Sequence, residues 1–309
     1  MAAQEDRDPY LLADMLQTMK LQPPSSLSNN DRCNSTTDQT TMSHSNNNSS
    51  SSNVHWAQDE EESSPANPPP LSWSFADVGK TRLLSRDNSQ HATDEVFNSL
   101  SHLSACMLSI LGTTLLIARS SAPANAWKIV SFSIYGASLI FLFGCSTLHH
   151  AINASVEVEA RLRMLDYLAI YPLIAGTFTP LCLVFLNDSV IGWSFLGVAW
   201  LLSAIGMFLT AKFGPELIPK WMSMTMYITI GWLGAFLTFY IKPYIGLSGL
   251  GVFMLGGLCY TGGGYIYTSE QPNPVPGKFG FHEIWHCFVI LGAFFHFAVM
   301  FWWVVPWQP

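Results

Sequence analysis

Seven apolar stretches, at about residues 97–118, 126–149, 166–186, 190–211, 221–241, 245–267 and 282–305, fill the chain from Phe97 onward. Each has about 20 residues, the length an α-helix needs to cross about 30 Å of hydrocarbon. A soluble bundle would leave a polar stripe along every helix, and none of these stretches has one wide enough to face water. Their connections are short, so neighbouring helices are expected to run antiparallel. The fold class this predicts is an all-α membrane protein with seven transmembrane helices.

The first 93 residues have a different composition. They hold 12 acids and 6 bases, whereas residues 94–309 hold 9 acids and 8 bases, so −6 of the net charge of −7 belongs to the leading segment. Residues 25–53 are mostly Ser, Asn and Thr, and residues 65–70 read Pro-Ala-Asn-Pro-Pro-Pro. Such a stretch buries too little to offset its ordering entropy, and a disordered tail is expected over residues 1–93. It begins without a basic n-region or apolar h-region, so it does not read as a signal peptide. Leu11, Leu12, Met15, Leu16 and Met19 form a short apolar cluster, and the tail is the part of the chain open to a cytosolic partner. The bases form no cluster dense enough to neutralise several phosphates, which excludes nucleic acid as a partner. Five of the six cysteines sit singly in apolar runs with no CxxC pair, which excludes a disulfide scaffold.

Orientation follows from the basic residues that flank the spans. Lys80, Arg82, Arg86, Arg161, Arg163, Lys212, Lys220 and Lys278 fall on the side of the tail, against Arg119, Lys128 and Lys242 on the other. This bias puts the N-terminus in the cytosol and, after seven crossings, the C-terminus outside or in a lumen. Plasma membrane and endomembrane are equally open.

Ionisable side chains inside a span are costly and need a partner or a task. His102 lies in the first turns of span 1, Ser146, His149 and His150 end span 2, Asp166 opens span 3, and His282, Glu283 and His286 open span 7. All of these positions fall near the cytosolic face. His282 and His286 are four apart, so both rings share one helical face at a spacing that suits two ligands of one metal ion. His149 and His150 compete for the third place; the four-residue spacing from Ser146 favours His150 beside that serine and points His149 elsewhere. Three imidazoles around Zn2+ leave a fourth position for water, with Asp166 placed to orient or deprotonate it. Glu95, Asn98 and His102 line one face of the helix entering span 1 and are expected to support the site from behind. His296, about ten residues deeper, reads as a hydrogen-bonded buried histidine. His282-Glu283-Ile284-Trp285-His286 also matches HExxH, so an intramembrane metalloprotease is a rival reading.

These motifs resemble those of the progestin and adipoQ receptor (PAQR) family with its hemolysin III branch. Glu95-Val-Phe-Asn98-Ser-Leu-Ser101-His102 resembles E-x-x-N-x-x-T-H, and Ser146-Thr-Leu-His149-His150 resembles S-x-x-x-H. Arg163-Met-Leu-Asp166-Tyr167 followed by Leu173 to Pro180 is similar to the hemolysin III branch in particular, and Gly280-Phe-His282-Glu-Ile-Trp-His286 with His296-Phe297 resembles the last span. The resemblance covers residues 95 to about 305, the membrane domain of 94–309. It implies seven helices with a cytosolic N-terminus, zinc held by His150, His282 and His286, and Asp166 holding the zinc-bound water. Family members replace the glutamate of HExxH, which weighs against Glu283 as a catalyst. The resemblance implies a zinc-dependent hydrolase of lipid amides such as ceramide, its lipid substrate reached from the bilayer, with Asp166 and Ser146 in catalytic places. The alternative is a seven-helix receptor or adaptor with structural zinc. A channel has little residue-level support, because the polar groups gather at one side.

Overall fold

The computed structural model describes residues 95–276 and 278–308. The tail, and with it the expectation of disorder, lies outside the described residues. Helix α1 spans Glu95–Ser120, α2 Ala126–Ala151, α3 Val156–Phe185, α4 Val190–Phe213, α5 Lys220–Ser269 and α6 Phe281–Val299, which ends in a π-helical turn over Met300–Val304. All six, α6 taken with its π turn, are long and apolar enough to cross a membrane.

Helix α5 is two helices joined at a corner. Gly246 has φ 62° and ψ −173°, a conformation open in practice only to glycine, and Pro243 lies just before it. The chain folds back there. Trp232 Nε1 donates to Thr261 Oγ1 at 3.0 Å, and Lys220 Nζ to Glu270 Oε1 at 3.1 Å, contacts impossible along a straight helix of 50 residues. Counting its limbs separately, the described residues contain seven helical segments that match the seven apolar stretches in order.

Boundaries differ from the sequence reading in one place. Helix α3 starts at Val156 rather than 166, because Glu157, Glu159, Arg161 and Arg163 extend it beyond the apolar stretch by about two polar turns. Asp166 therefore sits in its third turn. Within the same helix Pro172 and Pro180 are accommodated without a break, as happens where neighbours satisfy the freed backbone groups.

Packing follows the chain: α1 on α2, α2 on α3, α3 on α4, and α6 on α5, with α6 also against α1. Helix α3 is the most enclosed, with 78% of its apolar window buried against 28% for α1. Outward faces are apolar, as Leu108, Phe208, Phe239 and Leu247 are all more than three-fifths exposed. Interior faces hold the polar side chains, Glu95, Asn98, His102, His150, His282 and Glu283 among them. Many hydroxyls need no neighbour, since Ser99, Ser109, Thr113 and Ser120 of α1 return a hydrogen bond to the carbonyl four residues back. At the end remote from these imidazoles, the buried Lys128 Nζ donates to the carbonyls of Val305 and Trp307 and ties the final turn to α2.

Candidate metal centre

The N-terminal ends of α1 and α6, the C-terminal end of α2 and the third turn of α3 meet at one end of the bundle. The local sequence sets each of them. Glu283 closes the first turn of α6, its Oε2 accepting from the Gly280 N–H at 2.7 Å, which fixes the helix that carries His282 and His286. Its other oxygen accepts from Asn98 Nδ2 at 3.1 Å and so fastens α6 to α1 across 185 residues of sequence.

His150, His282 and His286 are all buried and each offers a ring nitrogen within 4.8 Å of the others. His150 Nδ1 donates to Glu95 Oε2 at 2.7 Å. That bond sets the tautomer and makes the other ring nitrogen of His150, Nε2, the acceptor. It faces His282 Nε2 at 3.4 Å, about the separation of two nitrogens on a tetrahedral centre with arms of roughly 2.0–2.1 Å. His286 completes the triangle, with ring centroids 4.9 Å from both His150 and His282. Behind it His102 stacks on its face at 3.8 Å and 21°, holding the ring plane. Three buried imidazoles within 4.8 Å of one another, one of them oriented by a carboxylate, are a donor set that suits zinc.

Asp166 is half-buried on the adjoining wall with Ser146 within hydrogen-bonding reach. It also groups with His149 and His150, whose ligand atoms lie within 4.8 Å of its own. His149 does not point elsewhere, as the spacing from Ser146 suggested: its ring is buried 4.7 Å from that of His150. Consecutive residues of a helix diverge by about 100°, but this pair ends α2, where the helix stops at Ala151 and both rings turn into the same interior. Glu95, Asn98 and His102 all stand behind the site: Glu95 on His150, Asn98 on Glu283, His102 on His286.

From this end an apolar cavity runs into the bundle, with about 140 Å³ open to the centres of water molecules. Asp166, Ser146, His149, His282 and His286 border it, and Leu173, Ile174, Phe178 and Val289 are among its apolar lining. Two residues to which sequence reasoning gave no role flank the polar end. Tyr167 and Tyr267 bring their hydroxyls to 2.8 Å, and the Tyr267 ring lies 5.7 Å from that of His282. The signal was faint: Tyr167 follows Asp166 directly, but aromatic residues are common in every span.

His296 lines the same cavity farther in, with its Nε2 at 3.2 Å from the Phe253 carbonyl, a hydrogen-bonded buried histidine as expected. The glycines at 262–264 stand within an unbroken helix; a Cβ on Gly263 would come within 2.7 Å of Phe288, so they permit close helix approach and form no phosphate loop.

Comparison with known proteins gives the family of the helical domain. A family model described as haemolysin-III related matches residues 90–297. Hemolysin-3 of Bacillus cereus is 35% identical over 220 residues, which are 70% of this chain and 94% of that protein. A hemolysin-3 homolog of Bacillus subtilis (strain 168) is 35% identical over 212 residues, 67% of this chain and 93% of the relative. More distantly, an adiponectin receptor protein of Drosophila melanogaster is 28% identical over 220 residues, 66% of this chain and 49% of that protein. With the family model covering the helical domain and the bacterial relatives matched almost end to end, the chain belongs to the haemolysin III branch of the PAQR family.

Proposed function

We propose that this protein is an integral membrane, zinc-dependent hydrolase of lipid amides, with ceramide as the type of substrate. The observation that carries the reading is the triangle of buried imidazoles on His150, His282 and His286, set beside Asp166 at the mouth of an apolar cavity. Zinc, when bound, supplies Lewis acidity towards a scissile carbonyl and acidifies water. The chain's residues do the rest. Asp166 takes the proton of the attacking water and returns it to the leaving amine, while Ser146 orients the carboxylate by a hydrogen bond. The cavity takes the acyl chain, and its apolar wall keeps bulk water from the reacting carbonyl.

In this reading seven helices cross the membrane with the N-terminus cytosolic, the C-terminus outside or luminal, and the metal centre near the cytosolic face. An epitope at each end tests the topology: in intact cells with the protein at the surface the C-terminal epitope is reached from outside and the N-terminal one only after permeabilisation, and in sealed endomembrane vesicles with the cytosolic face outward the order reverses.

Glu283 speaks against the protease alternative. Both of its oxygens are engaged, by Asn98 and by the Gly280 N–H, so it serves the helix end rather than water. A receptor or adaptor with structural zinc is the second reading, favoured by the name of the Drosophila relative. The deciding experiment measures metal by mass spectrometry and fatty-acid release from ceramides on detergent-purified protein. Wild type is expected to hold about one zinc per chain and to release fatty acid. His286→Ala loses the metal, and Asp166→Asn keeps it while release falls by about 10²–10⁴-fold. Zinc without turnover in any variant would favour the receptor; a folded wild type that refuses added zinc would end both readings.

A further inference from the structure

Two polar side chains in the interior have no task in the chemistry above. His296 on α6 and Tyr260 on the second limb of α5 both line the cavity, with ring centroids 5.6 Å apart. His296 is 7% exposed; its Nε2 donates to the Phe253 carbonyl, which leaves Nδ1 as an acceptor without a protein partner. The Tyr260 hydroxyl has no protein partner either.

These two rings are seated by glycines on the opposite helix. A Cβ on Gly256 would approach the His296 ring to 2.6 Å, and one on Gly292 would approach the Tyr260 ring to 2.9 Å. Limb and helix thus exchange notches for each other's polar ring. Packing alone does not call for this: phenylalanine fills the place of tyrosine without an unpaired hydroxyl, and unpaired polar atoms are disfavoured in an apolar interior. The Tyr260 hydroxyl can donate while His296 Nδ1 accepts, which together satisfy a single hydroxyl group, since it needs both a donor and an acceptor.

Position defines where that hydroxyl lies on a ligand. His286 and His296 are ten residues apart on α6. The helix rises about 15 Å over that interval, roughly the reach of ten to twelve carbons of an extended chain. We infer that Tyr260 and His296 form a second polar subsite, which takes a hydroxyl borne roughly ten to twelve carbons along the acyl chain of a ligand whose head group lies at the metal centre. The inference rests on the lipid reading of the cavity but needs no turnover.

The test therefore uses free acids and a binding readout. Purified full-length protein is loaded with a fluorescent fatty acid, which is displaced by 12-hydroxyoctadecanoic acid, 12-oxooctadecanoic acid or octadecanoic acid. The hydroxy acid is expected to displace the probe at roughly fivefold lower concentration than octadecanoic acid, the factor that one net hydrogen bond supplies. The oxo acid, which cannot donate to His296, falls between them. Tyr260→Phe, which removes one oxygen and no carbon, and His296→Leu each bring the hydroxy and unsubstituted acids together. Equal displacement by all three acids in wild type, no displacement by any, or a preference that survives both substitutions overturns the subsite. Hydrolysis of the corresponding amides, run in parallel, separates the two claims: a hydroxyl preference in binding with no hydrolysis keeps the subsite and removes the enzyme, and hydrolysis with no preference does the reverse.

Discussion

At the scale of single residues, the carboxylates at this end of the bundle divide by what their oxygens touch. Glu95 holds His150 Nδ1, and that one contact decides which nitrogen of the ring faces the other imidazoles. Glu95→Gln is accordingly expected to lower zinc affinity about 10–100-fold, measured by competition with a chromogenic chelator, with the helices intact by circular dichroism. Glu283 has the residue pattern of a metalloprotease base and the surroundings of a helix cap. Its replacement by alanine is expected to destabilise the protein by about 1–3 kcal/mol in detergent unfolding. Any activity that remains should track the zinc retained. A catalytic base would instead show a wild-type metal content and no turnover. The imidazole spacing of four on α6 was legible from the sequence because a helix repeats. The company of His149 was not, since where a side chain points at the end of a helix depends on what packs over it.

Among the elements, α5 shows how far apolar patterning reaches. Composition marks two spans with a break near Lys242, and the break exists. Its place, however, is set by backbone geometry: the helix continues through Pro243 and turns at Gly246, where the positive φ demands glycine. Hydropathy is blind to that, as Gly251 and Gly257 in the same limb are helical and unremarkable in sequence. Gly246→Ala should cost about 1–3 kcal/mol, seen as a lower unfolding midpoint, and should leave metal affinity in the folded fraction unaffected because the corner lies at the end remote from the imidazoles. The early start of α3 was missed for the converse reason. Charged residues end an apolar stretch but do not end a helix, and Arg163 of this extension is paired with Glu216.

For the whole molecule, the seven-stretch pattern gave the order of the helices and the depth at which the polar residues gather, but not the hollow beside them. A cavity is a property of what fails to fill space, and no residue type announces it. Gly231 lines it and a Cβ there would meet nothing within 4 Å, so Gly231→Leu is accommodated by the backbone and occupies part of the hollow. It should weaken binding of long-chain acids in the displacement assay while metal content by mass spectrometry stays at the wild-type level.

The division of the proposed ligands between α2 and α6 also bears on how the protein is made. His150 emerges from the ribosome 132 residues before His282, and Asn98 waits 185 residues for Glu283. A nascent chain halted anywhere before α6 owns one imidazole of the proposed three. On the proposed ligand set, the three-imidazole centre can close only after α6 has been made and brought to α2.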